Sequence, residues 1–217
     1  MFHKRSVPNS VVDITNGLVN YWPIKNDLKD YVGGADLVPG INGTNGFAAD
    51  RFNIMNQAIY VSNSYYQLPK GIYFSGVFSI MGWVKPTRLL AHTYFMSFGN
   101  GQSSDNVYSG LADTGAGPYF GLWKGSSSIL IMSSSTYLTL NTWQHLASTW
   151  DGTTATIYIN GTSVKTTTAS NQINNITRTQ CYIGRSNWPT EPLAYAYYDD
   201  IRIYNRYYLI SLDIISN

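Results

Sequence analysis

Short apolar runs, broken by turn signals about every 8 to 15 residues, are the dominant pattern in this chain. The clearest instance spans residues 155–165. Ala155, Ile157 and Ile159 alternate with Thr156 and Tyr158, Asn160-Gly161 follows, and Thr162-Ser163-Val164-Lys165 returns. Asn-Gly suits a two-residue type I′ turn because both central residues need positive φ. Further strands are expected at 17–23, 58–61, 78–84, 94–98, 119–123, 129–132, 143–150, 181–184 and 198–204. Pro23 and Pro86 are expected to close the strands that precede them. The Gly/Ser/Asp-rich stretch 99–117 reads as one long loop, a length that often carries function. No long stretch repeats at helical spacing, and the tail from Leu209 to Ile215 offers one short helical turn at most. The segments follow no fixed period, which argues against a propeller or solenoid. The expectation is an all-β, antiparallel two-sheet β-sandwich.

A chain of 217 residues suits one such domain. Residues 17–217 are assigned to the sandwich and residues 1–16 to an N-terminal leader or edge segment. Charged residues make up only 12%, against about 25% in an average domain. The polar surface is therefore built from Ser, Thr, Asn and Gln, which is unlike a solvated helical bundle. The lone Cys181 closes no internal disulfide and reads as a small buried hydrophobe.

A net charge of +2 without a basic run argues against nucleic acid as a partner. No run of 18 apolar residues is present, so no membrane-inserting helix is expected. The start, Met1-Phe2-His3-Lys4-Arg5-Ser6, lacks the apolar core of a signal peptide. The composition and the sequons at Asn42, Asn160 and Asn175 lean toward an extracellular or cell-surface setting, as part of a longer chain.

Gly17-Leu18-Val19-Asn20-Tyr21-Trp22-Pro23 is the first of five blocks with a resemblance, and it is similar to the opening segment of the laminin G-like domains of the concanavalin A-like superfamily. Phe78-Ser79-Ile80-Met81-Gly82-Trp83-Val84-Lys85-Pro86 resembles a characteristic strand, and Trp143–Gly152 another. Ile157-Tyr158-Ile159-Asn160-Gly161 resembles the family hairpin. Ile183-Gly184 followed by Asp199-Asp200-Ile201-Arg202-Ile203-Tyr204-Asn205-Arg206 resembles the closing segment. The resemblance implies a concanavalin A-like jelly roll in which Trp83, Trp143 and Trp150 are chiefly fold residues. It also implies a structural calcium ion, with Asp199 as the matching ligand and Asp30 as the N-terminal contributor. Leu193–Tyr198 departs from the family's Phe-x-Gly pattern, and residues 86–141 show little of its pattern. Ligand choice is expected to be written there.

Catalysis is not expected. Retaining glycoside cleavage needs two carboxylates about 5–5.5 Å apart. Glucanases of this fold carry them as Glu-x-Asp-x-x-Glu, and this chain has the single Glu191. Asp199 and Asp200 are adjacent, so on a strand they point to opposite faces. His145 reads as a fold histidine and His92 as an exposed loop residue. A sugar ring stacks its C–H face on Trp or Tyr while Asn and Asp bond its hydroxyls. Candidate ligand contacts are Trp188, Trp123, Tyr108, Tyr119, Tyr195 and Tyr197, with Asn187, Asp105, Asn106 and Asp113. Trp188 leads, because the loop 186–192 has no evident need of a tryptophan. The expected function is a non-catalytic module that recognises a glycan. The alternative is an extracellular protein-interaction or adhesion domain, and a polysaccharide-cleaving enzyme comes last.

Overall fold

In the computed structural model, residues 13–208 and residue 210 are described. Most of the expected leader, and the expected helical turn in the tail, lie outside them.

Fifteen strands follow in order: β1 (Leu18–Trp22), β2 (Val38–Pro39), β3 (Thr44–Ala48), β4 (Ala58–Ser64), β5 (Tyr66–Leu68), β6 (Phe78–Arg88), β7 (Thr93–Gly99) and β8 (Val107–Ala112). They continue with β9 (Tyr119–Lys124), β10 (Ser127–Ser133), β11 (Gln144–Trp150), β12 (Thr154–Ile159), β13 (Thr162–Thr168), β14 (Gln180–Ile183) and β15 (Ala194–Tyr204). They pair antiparallel into two sheets. The first runs β13-β12-β11-β6-β15-β4-β3, with β1 also on β15. The second runs β10-β9-β8-β7-β14-β5-β2. This is the expected sandwich, and alternation along each strand sends one set of side chains between the sheets. Phe74, Phe78, Phe95, Phe98, Phe120 and Trp150 fill that space at 0–1% exposure.

The hairpin between β12 and β13 turns on Asn160 (φ 48°) and Gly161 (φ 76°), both positive as a type I′ turn requires. Cys181 is fully buried, and burial pushes its thiol up to about 12.

Two expectations are corrected. β6 does not stop at Pro86 but runs on to Arg88. Its pairing with β11 ends at Val84, and the register with β15 shifts beside Ala196↔Pro86, so the missing N–H breaks no regular ladder. The stretch 99–117 is not one loop, because it holds the wholly buried strand β8. Ser109 and Gly110 hide the strand from a hydrophobicity pattern. The Ser109 hydroxyl faces inward and bonds Ser148 Oγ on the opposite sheet at 2.9 Å.

His145 of β11 is 4% exposed, with its ring edge-on to Trp83 at 5.6 Å. Its backbone is fixed by Asn160 of the hairpin turn: His145 N–H donates to Asn160 Oδ1 (2.8 Å), and Asn160 N–H donates back to the His145 carbonyl (2.9 Å). Burial, helped by the cations of Arg202 and Arg51, pushes its pKa down to about 3. An unfolded histidine titrates near about 6.5, so the folded protein resists a proton that the unfolded chain accepts. The contribution to stability is therefore complete above pH ~6.5 and is lost as pH falls from there toward 3. Denaturant unfolding is expected to show a loss on the order of 3 kcal/mol between pH 7 and pH 4 from this residue. His145→Phe should flatten that limb, and an unchanged slope in the variant would assign the acid sensitivity elsewhere.

Candidate ligand-binding cleft

The outer face of the second sheet carries a cleft of about 300 Å³. Its floor comes from two short sequences that answer one another. Tyr108-Ser109-Gly110 on β8 runs antiparallel to Tyr119-Phe120-Gly121 on β9, pairing Tyr108 with Gly121 and Gly110 with Tyr119. Each tyrosine ring lies over the opposing glycine, so closely that a Cβ at either glycine would overlap the ring. Tyr94 of β7 completes a triangle, with ring centroids 5.3 Å from Tyr108 and 5.2 Å from Tyr119. The three rings are only 2–3% exposed and form a packed base.

Two half-buried indoles stand above that base. Trp123 continues β9 on the same face, and Trp188 reaches over from the β14–β15 loop, with their centroids 5.8 Å apart. Trp188 also sets its edge on Tyr108 at 5.8 Å. Ile131 of β10, 52% exposed, closes the rim. The Tyr119 hydroxyl and Trp123 Nε1 are buried without a hydrogen-bond partner among the described residues. Burial raises the phenol pKa values of Tyr94, Tyr108 and Tyr119, so their O–H groups stay protonated at neutral pH.

The opposite rim is polar. His92 Nδ1 lies 3.3 Å from Asp113 Oδ1 and 4.0 Å from Glu191 Oε1, while Nε2 meets Thr114 Oγ1 at 3.0 Å. Ser133 Oγ donates to Asp113 and Ser186 Oγ to Glu191. Ser186 Oγ also accepts the Trp188 N–H at 2.9 Å, which ties the tryptophan to the acidic rim.

The candidates named from sequence divide three ways. Tyr108, Tyr119, Trp123, Trp188 and Asp113 converge in this cleft. Asn187, Asp105 and Asn106 are 0–8% exposed and tie loops together beneath it. Asn187 Nδ2 donates to Asn106 Oδ1 (2.7 Å), and Asp105 Oδ1 accepts from Gly125 N–H (2.7 Å) and Asn174 Nδ2 (2.8 Å). Tyr195 and Tyr197 sit on β15 of the other sheet. There Lys85 Nζ lies 4.2 Å over Tyr197, beside a groove of about 380 Å³ that includes Phe47, Met55 and Tyr60. The cleft also contains His92, Tyr94, Ile131 and Glu191, which sequence reasoning did not place there. For Tyr94, the alternation Tyr94-Phe95 at the head of an apolar strand was an available signal. His92 and Glu191 lie in loops, where no periodicity points.

Asp30 and Asp199 do not fit a shared calcium site. Asp30 Oδ1 accepts the N–H groups of Tyr21 (2.9 Å), Val32 (3.0 Å) and Gly33 (3.0 Å). Its Oδ2 accepts from Asn20 Nδ2 (2.6 Å) and Ala35 N–H (3.0 Å). Burial acts to raise its pKa, but these bonds outweigh it and lower the value. Asp199 Oδ2 meets Arg51 Nη1 at 2.5 Å, and burial pushes this carboxyl up to about 7 against the arginine's pull. Calcium wants six to eight oxygens, whereas both carboxylates face N–H donors. Among the described residues, no three His, Cys, Asp or Glu side chains gather to hold a metal.

Gly121→Ala tests the floor directly. The added methyl must displace the Tyr108 ring from its packing against Tyr94, Tyr119 and Trp188. The expected cost is about 1–3 kcal/mol in denaturant unfolding, together with an altered tryptophan emission as Trp188 loses its support. Wild-type stability and emission in this variant would show that the ring does not lie on the glycine.

The family model described as the concanavalin A-like lectin/glucanases superfamily matches residues 61–209. No curated protein matches the chain. Among solved structures, one similar in fold is domain 4 of AbnA, a GH43 extracellular arabinanase from Geobacillus stearothermophilus, in complex with arabinotriose. It has a TM-score of 0.72 and 23% identity, over 91% of this chain and 97% of that one. The binding domain of Paraclostridial Mosquitocidal Protein 1 gives 0.66 and 18%, over 89% of this chain and 50% of its own. The binding domain of botulinum neurotoxin serotype G gives 0.65 and 19%, over 92% and 51%. The chain thus spans about half of each toxin domain. At these identities the likeness is one of fold. The match over residues 61–209, carried on a jelly roll of two antiparallel sheets, shows that the chain belongs to the concanavalin A-like lectin/glucanases superfamily.

Proposed function

We propose that this protein is a non-catalytic carbohydrate-binding module and that the Trp123–Trp188 cleft is its site. One observation carries the reading: two half-buried indoles stand over a packed tyrosine base beside an acidic rim. A sugar ring presents an apolar C–H face to the indoles and hydroxyls to the carboxylates of Asp113 and Glu191. The arabinotriose held by the arabinanase domain supports an oligosaccharide as the ligand class.

Binding is favoured over cleavage by the rim itself. His92 lies between Asp113 and Glu191, in the space where a scissile bond would have to sit. Each carboxylate is also engaged by a serine hydroxyl. An extracellular setting is part of the proposal, and the exposed sequon residues Asn42, Asn160 and Asn175 are compatible with it.

The test is a glycan array followed by calorimetry on the best ligand, in calcium and after chelation. Trp188→Ala and Trp123→Ala are each expected to weaken binding about tenfold or more while leaving the thermal midpoint close to wild type. Affinities untouched by both substitutions would sink the assignment. The calcium expectation is read in the same experiment. A thermal midpoint and affinity unchanged by chelation are the result that the N–H donors around Asp30 and the Arg51 partner of Asp199 favour.

A protein partner is the second reading. It is favoured by Phe52 (66% exposed), Ile54 (55%) and Met55 (68%), clustered on the β3–β4 connection next to the Tyr60–Tyr197 groove. Silence across the array, together with capture of an extracellular protein that is lost in a Phe52→Ser, Met55→Ser double variant, would move the function to that face.

A further inference from the structure

Trp188 has a second side. Beyond it lies a smaller depression of about 150 Å³ lined by Asn42, Arg185, Ser186 and Leu193, with Trp188 and Glu191 shared with the main cleft. The two hollows therefore share Trp188 and Glu191 in their walls, with the indole as the ridge between them.

Arg185 is the unusual group there. Its guanidinium carbon lies 4.8 Å from the ring centroids of both Tyr65 and Tyr182, which meet edge to face at 5.6 Å. Three other arginines of this protein are held by oxygen acceptors, while Arg88 and Arg206 also lie over tyrosine rings, 5.3 Å from Tyr195 and 4.7 Å from Tyr208. Arg51 pairs with Asp199 and Asp200, Arg202 with Asp200, and Arg178 bonds the Asp105 and Asn174 carbonyls. Arg185 makes no hydrogen bond or ion pair to any described residue. The two rings hold its cation in place and leave its N–H donors uncommitted. A planar fork held in this way matches a carboxylate, which it bonds with two parallel N–H···O contacts.

The charges around Trp188 are unequal. Asp113 and Glu191, with His92 between them, line the main cleft, and Arg185 is the cation of the outer hollow. Glu191 borders both, but its Oε2 is taken by the Ser186 hydroxyl. We propose that the outer hollow is a second subsite and that it takes a uronate, a sugar unit bearing a carboxylate, whose neighbouring neutral unit lies in the main cleft. The inference rests on the carbohydrate reading above and deepens it: the ligand is an acidic oligosaccharide crossing the Trp188 ridge.

The experiment is calorimetry with a panel of uronate-bearing oligosaccharides, namely oligogalacturonides, oligoalginates and glucuronate-substituted xylo-oligosaccharides. Each is paired with its carboxyl-reduced counterpart. A uronate form is expected to bind about tenfold tighter than its reduced partner. That ratio should collapse toward one in Arg185→Ala and fall between the two in Arg185→Lys, which keeps the charge and loses the fork. Thermal midpoints of both variants show whether either change merely unfolds the loop, and the lysine variant keeps the test open if the alanine does so. Equal binding of acid and reduced forms, or an Arg185→Ala variant that keeps the wild-type ratio, overturns the subsite and leaves the neutral-sugar cleft standing. A sulfated oligosaccharide is added to the panel, and tighter binding of it than of every uronate form likewise overturns the uronate assignment. Binding of no oligosaccharide at all, acidic or neutral, removes both the subsite and the reading beneath it.

Discussion

A β-strand offers each side chain one of two directions, and the second sheet of this protein uses both. Val107, Leu111, Phe120 and Leu122 point between the sheets and join the main core. Tyr108 and Tyr119, their immediate or near neighbours, point outward and form a separate cluster with Tyr94. An outward tyrosine normally stands up from the sheet into solvent. Here Gly110 and Gly121 give each ring a bare patch of backbone to lie on, and the antiparallel register brings ring and patch together twice. The cleft is thus a consequence of period-two alternation combined with two missing Cβ atoms. Shifting the β8–β9 register by one residue would turn every one of these side chains to the wrong face.

The fold was largely legible because its signals are local and repeated. The Asn160-Gly161 turn and the alternation of β12 need no knowledge of the rest of the molecule. β8 was missed because two of its residues, Ser109 and Gly110, have their justification on other strands. One is the Ser148 hydroxyl across the sandwich and the other is the Tyr119 ring alongside. The site was legible in its aromatic part for a similar reason. Trp188 sits in a loop that does not need it for a strand, and Tyr108, Tyr119 and Trp123 lie within residues 86–141, where the family's pattern is largely missing. Tyr195 and Tyr197 look equivalent in sequence but lie on the other sheet, a fact that depends on strand order rather than on composition.

Polar residues were harder to place, and the reason is energetic. A buried polar side chain must find partners wherever the chain folds, and loops tie themselves together with the same Asn and Asp that bind sugars elsewhere. Asn187 and Asn106 bond to one another, and Asp105 closes the loop at Gly125. The first of these bonds ties the Trp188 loop to the segment before β8, and the second ties that segment to the β9–β10 turn. Asp30 belongs to the same class. Five N–H donors converge on it at the turn after β1, a satisfied arrangement that resembles a metal site in sequence because both need a well-placed carboxylate.

The same accounting separates the groups committed to the fold from those left for a ligand. Asp105, Asn106 and Asp30 have partners for their side-chain oxygens, Asn187 donates through Nδ2 to Asn106, and Arg51, Arg178 and Arg202 have acceptors. The Tyr119 hydroxyl and Trp123 Nε1 in the cleft, and Arg185 just beyond it, do not. Unpaired polar atoms cost stability when they are buried, and a free guanidinium gains little from a solvent-facing aromatic clamp unless something docks against it. All three lie around Trp188. The proposed site would thus be preformed, because its aromatic base is held by packing on two bare glycines and needs no ligand to assemble.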